Sequence, residues 1–476
     1  MFPMPSAIKP ATIQIGEIVR HPVVMLGMVL LGGALGALLP ASAPLLSALS
    51  KLYLALIQMA AFPFVILAVY FGVQRLPSVP DAGKLLARLV LMALLAMLLC
   101  TMIGALVAGL TSAGSHLSPA QVAELGKLAL EAEPGFAMAM HGREAGSAVW
   151  NVSALVPDNL FGVLAYGPAP AVLIGVLCFG AAVAVQAPTR ANALSAIFEG
   201  IYRALESLVH RFNTLLPLAA FVLAGAATAT AGLDTIFLLG GFLLAFLVAA
   251  LLVCAMALGV ICWRLKKAPW PVLLALRDPL TVCLFSPLAT AAVPGFIQVM
   301  SGQLGFNRAL VELCTPIAPV FLKAGEAMYF SMLAIFIANL YHHPLAAADV
   351  GLICLLSWTA ALWSVGIPGV KSLVLGTFVM SSLGLPLEAV LPVFLLVEVL
   401  CEGPRNLLSL LISSALIALL ADGLYINLGQ VSEAWQPATL KLVFSRKQMM
   451  LFFVLASIAL AGVFCAGVGF GLYSAS

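Results

Sequence analysis

The chain predicts an all-α polytopic membrane protein, and three observations carry that reading. Of its 476 residues, 63% are hydrophobic and only 9% charged, where a soluble domain carries about 25% charged residues. Apolar runs recur from residue 22 to residue 472, many of them matching the ~20 residues a helix needs to cross a hydrocarbon core. One such run, FLLVEVLCEGPRNLLSLLISSALIALL, holds Glu398, Glu402, Arg405, Ser409 and Ser413. The net charge of +3 is small and dispersed, which argues against a nucleic-acid partner. The nine cysteines fall mostly in apolar segments and include no CxxC pair. They read as small packing residues and not as disulfides or metal ligands.

The elements follow in order. Residues 1–21 are Pro-rich and then basic (Lys9, Arg20) and read as a cytoplasmic N-terminus. The apolar run after them, about 27 residues, is too long for a signal-peptide core. Spans are expected at 22–48, 51–75, 84–112, 159–187, 197–230 and 235–263, with further apolar material at 268–304, 306–341, 347–385, 387–420 and 449–472. Arg75, Lys84 and Arg88, then Arg190 and Arg203, then Arg264, Lys266, Lys267 and Arg277, then Lys441, Arg446 and Lys447 cluster on alternate loops. Such clustering marks the cytoplasmic side.

Two segments are interrupted. Residues 268–304 contain Pro279, Pro287 and Pro294, and residues 347–385 contain Gly366-Ile367-Pro368-Gly369. Proline removes a ladder donor and glycine permits a sharp turn. Each segment is long enough for two half-helices with a tip at mid-membrane, or for one kinked span. Paired interruptions of this kind point to a transporter binding site. In the 387–420 helix, at about 100° per residue, the five polar positions share a stripe roughly 80° wide. An ionised group at bilayer depth costs at least ~2.5–3.5 kcal/mol. The stripe therefore faces protein or a watery cavity, as a binding site for a small charged solute or as an ion pair that locks helices together.

Three stretches carry a family resemblance: LSKLYLALIQMAAFPFVILAVYFGVQRL, PDNLFGVLAYGPAPAVLIGVLCFGAAVAV and VGIPGVKSLVLGTFVMSSLGLPLEAV. With the order of elements, they resemble the dicarboxylate/amino acid:cation symporters, the glutamate-transporter family, over roughly residues 15–425. The resemblance implies a homotrimer with two re-entrant helical hairpins, at 268–304 and 347–385. It implies a scaffold of 22–75 and 159–230, and a transport domain of 84–112 and 235–420 that slides as an elevator. A cytoplasmic linker (421–448) and an extra transmembrane helix (449–472) complete the chain. Substrate is expected between the hairpin tips and the 387–420 helix. Arg405 would clamp a carboxylate, as a guanidinium does with two parallel donors. Glu402 would take an amino group or carry a proton. Ser409, Asn406, Ser286, Thr290 and the lid residues Gly366, Ile367, Pro368 and Gly369 complete the expected contacts.

The departures concern the driving ion. Where the family has D-x-x-x-D-x-x-R-T-x-x-N-x-x-x-D, this chain ends the pattern with Ser413 in place of the terminal acid. Where the family has Asn-Met-Asp-Gly-Thr, it reads Leu322-Lys323-Ala324-Gly325-Glu326. Leu and Ala offer no oxygen to a hard cation. Lys323 and Glu326 arrive instead, on one helix face. With Glu398 and Ser413 they are the expected ion-coupling residues, Glu326 as proton carrier. Pro404 is expected to kink or locally unwind its helix. Tyr341-His342-His343 is not expected to bind metal, because adjacent histidines point to different faces.

The expected function is secondary active transport of a small anionic solute, a dicarboxylate or acidic amino acid. Coupling to protons, or no coupling, is expected in place of sodium coupling. Neither an enzyme nor a cofactor is expected, since no nucleotide loop, catalytic triad or HExxH occurs. The expected partners are the solute, protons, the lipid bilayer of the cell (inner) membrane and further copies of the chain. Two rivals remain: a non-transporting receptor or partner protein on the same fold, and a transporter of a neutral or cationic solute.

Overall fold

The computed structural model describes residues 22–75, 82–112, 114–115, 169–184, 188–231, 239–286, 288–307, 310–312, 314–315, 321–364, 379–380 and 391–421, with positions 159 and 162. The N-terminus 1–21, the tip Gly366, Ile367, Pro368 and Gly369, the linker beyond its first residue and the 449–472 helix lie outside them. Among the described residues all regular structure is helical.

Helix α1 (Pro22–Leu38) and helix α2 (Ala43–Arg75) are joined by a 3-10 turn at Pro40–Ser42. The expected boundary near residue 49 is therefore ten residues too late. Ser47, Ser50 and Lys51, at that expected boundary, lie inside α2. Pro40 decides the matter. A proline disfavours helical geometry in the residue before it, and Leu39 sits at φ −132°, ψ 72°. Helix α3 (Ala82–Thr111) and helix α4 (Ala169–Ala184) follow.

The expected 197–230 span is two helices, α5 (Pro188–Phe212) and α6 (Leu216–Ala231), with a 3-10 turn at Asn213–Leu215. Pro217 explains the break, because its ring opposes the carbonyl four residues earlier, that of Asn213. Helix α7 (Gly240–Leu265) closes on Lys266 in the left-handed conformation, φ 51°. The Arg264 Nε donates to the carbonyl of Ala418 at 3.2 Å.

The first interrupted segment is a hairpin. Helix α8 (Pro269–Phe285) stops at an extended Ser286 and Leu288, and a 3-10 turn (Ala289–Ala292) leads into α9 (Val293–Gln298), which packs back on α8. Helix α10 (Ala324–Leu340) begins after a non-helical Leu322-Lys323. Helix α11 (Ala347–Trp363) is the first arm of the second interrupted segment, and α12 (Leu391–Leu420) carries the polar stripe.

The helices fall into two packing groups. Helix α1 lies along α6, and α2 packs on α4, α5 and α6. Helix α3 lies along α10, and α12 lies along α7 and touches α8 and α10. The α1–α6 crossing is close enough that a side chain at Gly32 or Gly36 would overlap the α6 backbone. The groups meet at the first hairpin, where the 3-10 turn touches α2 and α9 touches α5. Five described stretches are long and apolar enough to cross a membrane.

Candidate functional site

Helix α12 is helical through Pro404, so the expected unwinding does not occur. The residue before a proline resists the helical region mainly through its Cβ and N–H. Here that residue is Gly403, which has no Cβ. The same absence lets the Leu284 carbonyl at the end of α8 approach; a Cβ on Gly403 would overlap it. One turn of approach is repeated at Gly325, the second residue of α10, where a Cβ would overlap the Arg405 backbone. Two glycines thus draw the hairpin break and the amino end of α10 onto one point of α12.

Arg405 sits at that point, with its side chain only 2% exposed. Its Nη1 donates to Glu326 Oε2 at 2.6 Å, and its Nη2 donates to Glu398 Oε1 at 2.6 Å and to the Glu398 carbonyl at 3.2 Å. The guanidinium lies over the Tyr329 ring, 4.6 Å from its centroid. Charge-assisted bonds of this length are the strong class. Lys323 completes the group more loosely. Its Nζ is 3.9 Å from Glu326 Oε1, and its side chain is 14% exposed. The Glu326 carboxylate therefore lies between two cations, bonded to one and merely near the other. Glu402 is half-buried on the same helix, within electrostatic reach of Arg405, Glu398, Glu326 and Lys323.

The remaining expected residues take several roles. Ser409 is buried, and its Oγ accepts the Gly325 N–H at 3.2 Å. That bond satisfies one of the amide donors left over at a helix start. Ser413 Oγ and Asn406 Nδ2 are buried with no hydrogen-bond partner among the described residues. Leu322 and Ala324 are buried, so two positions beside the cluster carry hydrocarbon. In the hairpin, Ser286 is buried and its Oγ accepts the Leu288 N–H at 3.3 Å. Thr290 lies half-buried in the 3-10 turn.

Two contributors are invisible to sequence reasoning. Tyr329 belongs to a largely apolar helix, and its signal is its place one turn after Glu326. Asn213, from the other helix group, donates Nδ2 to the Ala291 carbonyl of the hairpin turn at 3.0 Å. Its signal is a lone amide beside the Pro217 break. The stripe on α12 has apolar neighbours that are themselves covered by protein. Leu408, Leu410, Leu411, Ile412, Leu416, Ile417 and Ala418 are all buried. Neighbouring helices thus cover much of the described part of α12, and the polar stripe faces protein.

Comparison with known proteins assigns this architecture. The family model described as "Sodium:dicarboxylate symporter family" matches residues 22–422. The chain belongs to that family. The sodium:dicarboxylate symporters are transporters and not enzymes, and their fold is an all-α membrane fold. The chain is 22% identical over 346 residues to a proton/glutamate-aspartate symporter of Escherichia coli (strain K12), covering 72% of this chain and 77% of that protein. It is 22% identical over 347 residues to a C4-dicarboxylate transport protein of Azorhizobium caulinodans, covering 72% and 75%. It is 24% identical over 356 residues to a C4-dicarboxylate transport protein of Sinorhizobium medicae, covering 74% and 75%. The symporter match ends before residues 449–472.

Proposed function

We propose that this symporter-family member is an elevator-type secondary transporter of a small anionic solute, a dicarboxylate or an acidic amino acid. Its coupling ion is the proton, or it is uncoupled; sodium does not drive it. The observation that carries this reading is the buried Arg405–Glu326–Glu398 cluster with Lys323 beside it, flanked by Leu322 and Ala324. Hard cations need oxygen ligands, and these two side chains supply none. The relatives, a proton/glutamate-aspartate symporter and C4-dicarboxylate transport proteins, support an anionic solute.

The roles follow from the ion pairs. Arg405 receives a solute carboxylate when one of its glutamates takes a proton and lets go. An uncompensated charge left at bilayer depth is costly, so release and protonation go together. Glu326 is the proton carrier, with Glu398 as its counterpart across the guanidinium. Glu402 takes an amino group where the solute has one. Ser286, Thr290, Asn406 and the tip Gly366, Ile367, Pro368 and Gly369 line the seat, and Ser413 stands where an ion ligand is missing. The group containing α3, α7, α8, α10, α11 and α12 moves as the transport domain (84–112 and 235–420). The group of α1, α2, α4, α5 and α6 is the scaffold (22–75 and 159–230), assembled as a homotrimer in the inner membrane with a cytoplasmic N-terminus.

One observation favours a second reading. Arg405 is already matched by two of the chain's own carboxylates, which suits a receptor or partner protein that no longer carries solute. Uptake into liposomes decides between them. Radiolabelled succinate, aspartate and glutamate are offered to the reconstituted protein under separate proton and sodium gradients. Accumulation under the proton gradient, with none added by sodium, is the expected result. Accumulation driven by sodium alone overturns the coupling assignment, and no uptake of any of the three supports the receptor reading.

A further inference from the structure

Resting on the transport reading, we infer that Lys323 is the specificity-determining cation of the site: its ammonium receives a solute carboxylate directly. Arg405 is closed to a solute in this structure. Both terminal nitrogens are engaged, its side chain is 2% exposed, and an aromatic ring covers one face. Lys323 is placed differently. An ammonium has three donors, and the nearest carboxylate oxygen, Glu326 Oε1, stands at 3.9 Å, beyond hydrogen-bond distance. No hydrogen bond from its side chain exists among the described residues. The side chain keeps 14% exposure, against 10% for Glu326 and 2% for Arg405.

The backbone position adds a second argument. Lys323 is the N-cap of α10, at φ −92°, ψ 48°. A helix start carries partial positive charge and favours anions. A lysine there opposes the local rule, and such departures concentrate where function requires them. The ammonium and the helix start act in the same sense on an incoming carboxylate. Glu326 Oε2 meanwhile holds Arg405, so the second cation of the site is reached by way of Lys323. A dicarboxylate thereby meets two cations of different reach, the loosely held lysine and then the arginine.

The test is a cycle of variants in liposomes, read as exchange of internal for external succinate or aspartate, which needs no net proton movement and so stays readable when the proton carrier Glu326 is neutralised. Lys323→Met is expected to raise KM at least tenfold for both solutes with little change in kcat. Glu326→Gln alone is expected to lower KM or leave it. The double variant Lys323→Met/Glu326→Gln is expected to stay as weak as Lys323→Met. If Lys323 only neutralises Glu326, the double variant recovers the parent KM, which overturns the proposal. An unchanged KM in Lys323→Met overturns it as well. Lys323→Arg keeps the charge and moves it outward, so it serves where the Met variant does not fold. It is expected to change the ratio of KM for succinate to KM for the longer glutarate, and an unchanged ratio counts against Lys323. A parent protein that takes up no anion defeats the transport reading itself, a result distinct from normal parent uptake that is indifferent to Lys323.

Discussion

Arg405 makes two buried charge-assisted bonds at 2.6 Å, and its substitution separates structure from transport. Removing the guanidinium leaves Glu326 and Glu398 buried without their cation. Breaking a buried pair in this way costs about 3–5 kcal/mol. Arg405→Met is therefore expected to lower the unfolding temperature sharply in detergent. Arg405→Met combined with Glu326→Gln and Glu398→Gln is expected to recover most of that loss, since no charge is left behind. Equal instability in the triple variant would mean that packing on Tyr329, not charge, holds the site. At this scale the residue types of the site were legible: Glu326, Lys323, Glu398 and Arg405 all stand out in apolar sequence. Their partners were not. A guanidinium within a stripe of acids has several carboxylates in reach, and only the folded chain selects two.

At the scale of elements, close approach matters more than helix propensity. Glycine in a helix normally costs about 0.5–1 kcal/mol relative to alanine. At Gly259 in α7 nothing lies within 4 Å of an added Cβ, so Gly259→Ala is expected to be neutral or mildly stabilising. At Gly325 and Gly403 the added carbon meets backbone atoms of Arg405 and Leu284. There the same substitution is expected to cost about 1–3 kcal/mol, the usual range for overpacking. It is also expected to reduce uptake, because it pushes α10 or α8 away from the cluster. Thermal unfolding of the three alanine variants, read side by side, checks the sign of each. Prolines were a mixed guide to the elements. Pro40 and Pro217 end helices, whereas Pro63 and Pro404 lie within them. At Pro404 the preceding Gly403 eases the strain by lacking a Cβ, yet Pro63 is carried within its helix after Phe62.

At the scale of the whole molecule, the two helix groups touch through few polar contacts. Besides Asn213 on Ala291, Gln298 Nε2 of α9 donates to Glu206 Oε1 of α5 at 3.0 Å. If the hairpin travels relative to α5, a covalent bridge between positions 206 and 298 must stop the cycle. The Glu206→Cys/Gln298→Cys pair, cross-linked in the membrane, is expected to lose at least nine-tenths of its uptake. Reduction is expected to restore it. Full uptake by the cross-linked protein would show that these two elements do not part during transport.

Taken alone, the sequence determined the solvent of this protein, the number of charges it risks in lipid and the family it resembles. Hydrophobic run length and the cost of a charge at bilayer depth are local quantities, so composition and spacing suffice to read them. Only the tertiary structure decided where those charges go. The α12 stripe packs against helices far away in sequence, Arg405 is held by Glu326 from α10, and Ser409 accepts an amide at the start of that same helix. Ion pairing depends on distances of a few ångströms between segments some eighty residues apart. No periodicity within one segment encodes such distances.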